Sequence, residues 1–249
     1  MVSYNKYFMS GYIIFLISYG VINTTFDIII ESLFFGGCRL LFSLFIIHRG
    51  FSHSSFVVTN PNYNWFFTFF ATLSHQGSPR QWTIVHQHHH AYCDTIKDPH
   101  SPIIMGYFNA FFCGITNSAY RLEPLYNREL LDSPPLIVYD SIFPLVLICE
   151  HIFWYYIGGI RYTTISIVSA LVSLLSVLTF NTAYHTDQQN SITCKANNAF
   201  YAFSILYGEH NHHDHHIYPS KARRCKYDLI YYAIMIPLKK LHIIKFQEE

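Results

Sequence analysis

Histidine is the residue type whose number and spacing in this sequence point most clearly to chemistry. The 249-residue chain contains 16 histidines, as many as all of its lysines and arginines together. Most of them fall into short clusters, and one more follows an asparagine by four residues. These groups are HRGFSH (48–53), HQHHH (86–90), HNHHDHH (210–216) and the pair Asn181 and His185. Clustered imidazoles bind zinc, iron, copper or nickel, so the sequence predicts a metal site without choosing the metal.

Helical spacing gives two of the clusters a common geometry. Residues three and four apart on a helix share a face, so the histidines of an H-x-x-H-H motif point broadly the same way. Adjacent histidines such as His89 and His90 diverge by about 100°, which suits two neighbouring ions better than one. Two such motifs, at 86–90 and 212–216, therefore suggest a dinuclear site. The isolated histidines are interpreted as ordinary core or surface residues: His75, His151 and His242.

The apolar character of the chain indicates which elements position these histidines. About half of the residues are hydrophobic and 12% are charged, whereas ordinary soluble domains are about 25% charged. This composition excludes disorder, and the net charge of +1 argues against a nucleic-acid binder. A soluble protein with very apolar buried helices is the alternative, but it would have little chain left to cover them. Four apolar runs predict two hairpins of membrane-spanning helices, at 8–30 with 33–50 and at 136–157 with 160–184.

The loops predict how these helices are oriented. If both termini lie on one side, that side carries most of the loop lysines and arginines. The opposite side then keeps Arg161, beside Asp27 and Glu31. The positive-inside rule places both termini, and with them all the histidine clusters, in the cytosol.

The predicted fold is an all-α integral membrane protein with one domain, residues 1–249. Its cytosolic helical cap, formed by 51–135 and 186–249, would hold the histidine-rich site. The apolar segment 54–80 and the uncharged, aromatic segment 103–118 are expected to be interfacial or re-entrant pieces rather than full spans. The six cysteines are scattered without a C-x-x-C pair, and we expect them to be small buried hydrophobic residues in a reducing compartment.

The motifs and their flanks resemble one known family. H-x-x-x-x-H followed by two H-x-x-H-H motifs is the pattern of the membrane fatty-acid desaturases. The resemblance is greatest to acyl-CoA Δ9 (stearoyl-CoA-type) desaturases, especially their short bacterial-type members. It extends over approximately residues 45–240 and includes the NTAYH motif at 181–185. Two longer stretches also resemble the family, LSHQGSPRQWTIVHQHHHAYCDTIKDPHSP (73–102) and GEHNHHDHHIYPSKAR (208–223).

This resemblance implies an enzyme that uses a di-iron centre, O2 and external electrons to insert a cis double bond into an acyl chain. Δ9 insertion into a saturated C16–C18 acyl-CoA is the family's default. In the family, one iron is held by four histidines and a water positioned by an asparagine, and the other iron by five histidines. Carried onto this sequence, the asparagine is Asn181 and the ligands are His48, His53, His86, His89, His90, His185, His212, His215 and His216.

Some features depart from the family pattern. Gln87 stands where the family usually has arginine, and His210 with Asn211 replaces a glycine and an aromatic residue. A third-motif register built on His210 and His213 is the alternative, but it lacks the second adjacent histidine. The short segment before the first apolar run leaves the acyl carrier open between CoA, another carrier and a lipid.

Charged residues near the motifs have expected supporting roles. The outer ring nitrogen of a metal-bound histidine needs a partner, and the candidates are Asp94, Asp98, Glu209 and Asp214. Solvated or helix-capping roles are the alternative for each of them. A basic run after the third motif could dock an external electron donor, a cytochrome b5-type protein or a ferredoxin. It consists of Lys221, Arg223, Arg224 and Lys226. Contact with anionic lipids or a role in setting topology explains the same run equally well.

Other functions fit part of the pattern. A di-iron lipid hydroxylase or an alkane-type monooxygenase would use the same ligands, and its reaction diverges only after the first hydrogen is removed. A non-catalytic membrane metal-binding protein or transporter would place histidines along its spans, whereas here they gather at one surface. The full set of nine histidines opposes an inactive relative. The expected location is the endoplasmic reticulum in a eukaryote or the plasma membrane in a bacterium.

Overall fold

The computed structural model describes residues 2–113, 122–185, 194–198 and 202–247. Helices dominate these residues, and two short strands form an antiparallel ribbon. The elements are α1 (Val2–Asn23), α2 (Phe26–Phe42), a π-helix (Ser43–Ser52), β1 (Phe56–Val58), α3 (Tyr63–Thr72), α4 (Pro79–Tyr92), α5 (Pro102–Met105), α6 (Tyr107–Cys113), α7 (Arg128–Leu131), α8 (Pro134–Ala183), α9 (Ala202–Tyr207), α10 (His212–Ile217), a second π-helix (Ile230–Met235), α11 (Ile236–Lys240) and β2 (Ile244–Phe246).

Helix α8 consists of two apolar halves joined at a glycine turn. Gly158 and Gly159 leave helical geometry, and Gly159 has a φ of 63°, a left-handed conformation that favours glycine. The two halves fold back on each other at this turn. Ser166 in the second half lies 2.9 Å from His151 Nδ1 and 3.0 Å from the Glu150 carboxylate in the first half. The second predicted hairpin therefore has its turn where the sequence places a glycine pair.

Within the part of the chain that the structure describes, two helices are long and apolar enough to cross a membrane, judged by their length and composition. They are Phe26–Ser52, which joins α2 to the first π-helix, and Pro134–Ala183. The helical segment Tyr7–Asn23 of α1 is also apolar but shorter.

The turn between α1 and α2 lies earlier than the sequence predicts. It falls at Thr24 and Thr25, whereas the predicted break follows residue 30. Asp27 and Glu31 do not end a helix. Both carboxylates instead pair with Arg161, just beyond the glycine turn of α8, so the charges that suggested a break join the start of α2 to this turn.

A buried polar cluster ties the apolar helices together. Arg39 Nη2 of α2 donates to Glu150 Oε1 of α8 at 2.7 Å, and His75 Nε2 lies 3.1 Å from the other oxygen of that carboxylate. The Tyr12 hydroxyl of α1 lies 2.6 Å from His75 Nδ1 and 2.7 Å from His151 Nε2. Charges in an apolar interior are costly unless they are paired. Because these groups satisfy one another, His75 and His151 fit the predicted structural role.

The first π-helix shapes the first histidine motif. On an α-helix, residues five apart such as His48 and His53 would point about 140° away from each other. In the π-helix the hydrogen bonds run between residues i and i+5, and the His53 amide donates to the His48 carbonyl at 3.2 Å. The two imidazole centroids consequently lie 4.9 Å apart, on the same side of the chain.

The C-terminal segment packs against this π-helix. Strand β2 pairs with β1, and Phe246 lies opposite Phe56 in the register. Arg49 of the π-helix is completely buried. It donates to Asp228 Oδ2 at 2.8 Å and to the Tyr207 carbonyl at 2.6 Å. This buried ion pair fixes the chain on either side of α10 relative to the first histidine motif.

Candidate metal centre

Nine histidines from four parts of the chain meet in one largely buried site. The π-helix and its end provide two of them, α4 provides three, the end of α8 one, and α10 three. Helix α4 is started by Ser78, whose side chain accepts from the Gln81 amide, and by Pro79 in the first turn. The nine are those that the family resemblance implies: His48, His53, His86, His89, His90, His185, His212, His215 and His216.

Five of these histidines form one group: His48, His53, His86, His90 and His215. One candidate ligand atom from each lies within 4.8 Å of all the others. The Nε2 atoms of His48 and His215 are 3.0 Å apart, and those of His53 and His86 are 2.9 Å apart. His90 Nε2 is buried without a hydrogen-bond partner among the described residues. A metal ion at the centre of these converging nitrogens would satisfy them together.

The other four histidines form a second group beside the first. His185 Nε2 lies 3.2 Å from His89 Nε2 and 3.2 Å from His212 Nε2. The Nε2 atoms of His212 and His216 are 3.1 Å apart. The ring of His216 stacks on His90 of the five-histidine group, with centroids 4.1 Å apart. The adjacent histidines of α4 thus serve different groups, as expected for two neighbouring metal positions.

Two of the predicted acidic partners lie against the outer nitrogens of the four-histidine group. His89 Nδ1 is 2.9 Å from Asp98 Oδ2, and His185 Nδ1 is 3.0 Å from Asp94 Oδ2. A carboxylate that accepts a hydrogen bond from the outer N–H leaves Nε2 unprotonated, with its lone pair free for a metal. Both contacts therefore hold their rings with Nε2 directed into the four-histidine group.

The other two predicted acidic partners have different positions. Glu209 is buried, and its Oε2 lies 3.4 Å from His48 Nδ1, but the contact is not aligned as a hydrogen bond. Asp214 is exposed on α10. Its predicted role was wrong, because it is two residues from His212, and residues two apart on a helix do not share a face.

Burial favours the neutral form of several of these histidine rings. It lowers the pKa of five rings well below the ordinary value of 6.5: His53, His86, His90, His212 and His216. Burial also lowers the pKa of His185. A protonated imidazole has no lone pair to give, whereas a neutral one is a metal ligand. The chemistry of the donor set therefore fits metal ions that accept nitrogen ligands.

Asn181 lies one helical turn before His185 and lines two clefts at the site. The first cleft runs from Asn181 and His86 to Met9 of α1 and has a volume of about 40 Å³. The indole of Trp82 forms part of its wall and stacks on His86, with ring centroids 4.8 Å apart. The second cleft places Asn181 beside His212 and Glu209. The asparagine therefore borders both histidine groups.

Three histidines that lie in or near the motifs but outside the nine have other partners. His88 Nε2 donates to the Glu123 carbonyl at 2.9 Å, and His213 Nδ1 donates to the Ala196 carbonyl at 3.1 Å. His100 stacks on His89, with centroids 4.2 Å apart. The structure thus agrees with the 212, 215 and 216 register of the third motif.

The basic run after the third motif divides into exposed and buried members. Lys221, Arg223 and Lys226 are exposed. Arg224 is 7% exposed, and its amide donates to Asp228 Oδ2 at 2.9 Å. Arg224 therefore cannot meet an electron donor at the surface, and its predicted docking role was wrong. Its charge instead faces the buried acidic residues beside the first and third motifs.

Two further contributors to the site were missed. Cys93 and Cys194 form a disulfide at the edge of the four-histidine group, so the prediction that all cysteines are reduced was wrong. No spacing in the sequence signals this pair. Arg49 supports the site through its buried ion pair with Asp228. The position of this arginine at the end of an otherwise apolar run could have indicated its buried ion pair.

Comparisons with known proteins agree with this site. The chain matches the family model described as fatty acid desaturase over residues 28–235. It is 28% identical over 224 residues to Delta-9 desaturase-like 4 protein of Arabidopsis thaliana, covering 83% of this chain and 73% of that protein. It is 27% identical over 188 residues to Delta-9 acyl-lipid desaturase 1 of the same plant, covering 71% and 60%. Since the family model covers most of the chain and all four histidine motifs, the protein belongs to the fatty acid desaturase family.

Proposed function

We propose that the protein is an oxygen-dependent acyl desaturase that inserts a cis double bond at Δ9 of a saturated C16–C18 chain. Family membership already makes it an oxidoreductase with a fatty acyl substrate and a lipid environment. The observation that carries the proposal is the convergence of nine histidines beside a cleft lined by Asn181 and His86. Five of them share one centre, and the other four are linked by Nε2–Nε2 distances of 3.1–3.2 Å. An acyl-CoA is the proposed form of the substrate.

The two histidine groups would each hold one iron ion. Asn181 would position a water on the side of the four-histidine group, next to His212. When bound, iron would supply the strong oxidant that an unactivated alkyl chain requires. The acyl chain loses two hydrogens from adjacent carbons, and O2 with two external electrons and two protons leaves as two waters. The protein's residues hold the metals, orient the chain and exclude bulk water.

Positioning of the acyl chain is the proposed task of the first cleft. Its lining brings Met9, Trp82 and Leu178 to the same space as His86 and Asn181. A dry apolar channel with one point of approach would limit the oxidant to one pair of carbons. A cleft of about 40 Å³ has room for water molecules but not for an acyl chain. Its lining side chains must therefore move when the substrate binds.

The proposed setting is a membrane crossed by four helices with both termini in the cytosol. The spans would be α1, α2 with its π-helical extension, and the two halves of α8. This arrangement places Arg161 and its two carboxylate partners on the far side. The histidine site and the exposed basic residues then face the cytosol. The membrane would be the endoplasmic reticulum or the plasma membrane, according to the source cell.

Electrons would come from a partner that docks on the cytosolic face. Lys221, Arg223 and Lys226 are exposed close to α10, which carries three of the histidines. Their charge suits an acidic donor of the cytochrome b5 or ferredoxin type, since opposite charges steer association. We propose these three residues as the docking surface.

The direct test of the reaction type follows the oxygen atoms. Purified iron-loaded protein in lipid nanodiscs would receive a reduced donor, stearoyl-CoA and ¹⁸O2, and the products would be analysed by mass spectrometry with localisation of the double bond. We expect a cis monounsaturated product without ¹⁸O. A hydroxylated product that carries ¹⁸O would contradict desaturation and identify a hydroxylase on the same scaffold. A matched sample with acyl groups in phospholipid would identify the carrier.

A further inference from the structure

The Cys93–Cys194 disulfide lies against the four-histidine group. Cys93 follows the last residue of α4, and Cys194 lies in the short segment 194–198. Cys194 Sγ is 3.5 Å from His216 Nδ1, and Cys93 Sγ is 3.9 Å from His185 Nδ1. The sulfurs therefore face the outer nitrogens of two proposed ligands, and one of these nitrogens, on His185, also contacts Asp94.

Cys93, directly after α4, also helps to position the carboxylate of Asp94. Asp94, the next residue, has a φ of 56° and accepts from His185 Nδ1 at 3.0 Å. The same Asp94 oxygen accepts from the Lys195 amide at 2.8 Å. The disulfide thus joins the two chain segments that meet at Asp94, and it fixes the outer partners of both His185 and His216.

The segment 194–198 touches the site on its other side as well. The Asn197 amide donates to the Tyr184 carbonyl at 2.7 Å, and Ala196 forms an antiparallel bridge with His185. The His213 amide donates to Asn198 Oδ1 at 2.9 Å. This segment supplies none of the nine histidines, yet it binds the end of α8 and the start of α10. Its only covalent link to α4 among the described residues is the disulfide.

We propose that Cys93 and Cys194 form a thiol–disulfide exchange site that controls retention of metal by the four-histidine group. This inference rests on the proposed function, because it requires that group to hold a metal. In the oxidised state the outer partners of His185 and His216 are held in place. Reduction releases the segment 194–198 from α4 and weakens metal binding in this group.

The exchange needs a dithiol reductant. This reductant can reach the sulfur of Cys194 more easily than that of Cys93. Cys93 is 7% exposed, whereas Cys194 is partly exposed. A thiolate of the reductant attacks Cys194 Sγ, forms a mixed disulfide and releases Cys93 as a thiolate, which takes up a proton. The second thiol of the reductant then attacks the mixed disulfide and releases Cys194. The protein gains two electrons and two protons, and the reductant becomes a disulfide.

The five-histidine group is predicted to be insensitive to this change. No described contact joins Cys93 or Cys194 to His48, His53, His86, His90 or His215. Loss of an outer partner typically lowers metal affinity by roughly 10- to 100-fold. Reduction should therefore remove one of two metal ions at limiting free metal and leave the other in place.

Metal counting on the folded protein tests the inference. Protein loaded anaerobically with Fe²⁺ would be treated with the non-thiol reductant TCEP, desalted, and analysed for iron and for free thiols. We expect iron to fall from two to one per chain, with two additional thiols that map to Cys93 and Cys194. The matched control is Cys38→Ser with Cys149→Ser, since both cysteines are free. It should respond to TCEP as the wild type does.

The variant Cys93→Ser with Cys194→Ser removes the site altogether. It should hold one iron per chain with or without reductant, and keep the elution volume of the wild type. Two irons retained after complete reduction would overturn the inference, and so would a disulfide that resists TCEP in the folded protein. Failure of the dinuclear site itself gives a different result, because the untreated wild type would then not bind two irons. Failure of the reaction type is detected separately, by ¹⁸O in the product.

Discussion

A histidine that holds a metal needs a partner for its outer ring nitrogen, and His89 obtains one from Asp98. Asp98→Asn removes the negative charge while keeping the size of the side chain. We expect metal affinity to fall by roughly 10- to 100-fold, measured as iron retained during dialysis against a graded chelator series. Asp214→Asn is the matched control, since Asp214 is exposed on α10. Equal losses in the two variants would contradict the assignment of Asp98.

The register of the third motif also makes a prediction at single residues. His215 is buried with its Nε2 3.0 Å from that of His48, whereas His213 donates to the Ala196 carbonyl. His215→Ala should abolish desaturation and lower iron to about one per chain or less, because it removes a direct ligand. His213→Ala should retain iron and measurable activity. Iron analysis of both purified variants decides between the registers, and the opposite pattern would exclude the present one.

The family resemblance was enough to predict which histidines meet, but not the surroundings of each charge. All nine histidines that it implies converge in the structure. Arg224 and Asp214 were misplaced. Whether a charge is buried or exposed depends on which neighbouring element covers it, and this information is not contained in local spacing. The disulfide was missed for the same reason, because it joins residues that are 101 positions apart and meet only in the folded chain.

Among the elements, the apolar helices depend on the polar cluster that joins α1, α2 and α8. Glu150→Ala would leave Arg39 buried without its counterion, so we expect a loss of about 3–5 kcal/mol in the free energy of unfolding. Thermal unfolding of detergent-solubilised protein would measure it. Glu31→Gln is the control, because its ion pair with Arg161 is exposed and exposed pairs contribute little. A Glu150 variant as stable as this control would show that the cluster does not hold the helices together.

The helices could be predicted from the sequence, but the type of one of them could not. The apolar helices and the glycine turn at 158 and 159 follow from hydropathy and from glycine's conformational freedom. The π-helix at Ser43–Ser52 was not anticipated, although the five-residue spacing of His48 and His53 fits it. Hydropathy reports which residues are apolar but not which hydrogen-bonding pattern the helix uses.

At the scale of the whole molecule, the exposed basic residues near the site predict a dependence on the electron donor. Reversal of Lys221, Arg223 and Lys226 to glutamate should raise the KM for an acidic donor roughly tenfold or more at low salt, because steering is lost. Iron content should not change. Reversal of Lys239, Lys240 and Lys245, near the C-terminus, is the matched control for net charge. Unchanged donor kinetics in the first variant would contradict the assignment of these three residues as the docking surface.

The proposed enzyme combines a helical frame embedded in a membrane, a site with nine histidines and an acyl substrate. Expression in a desaturase-deficient yeast strain, which needs unsaturated fatty acids for growth, tests all three features in one measurement. Cells that express the protein would be analysed by gas chromatography with localisation of the double bond, beside cells that express His215→Ala at the same level. The account predicts growth and a cis Δ9 monounsaturated C16–C18 peak with the wild type only. Abundant iron-containing protein in the membrane without a monounsaturated product would contradict it.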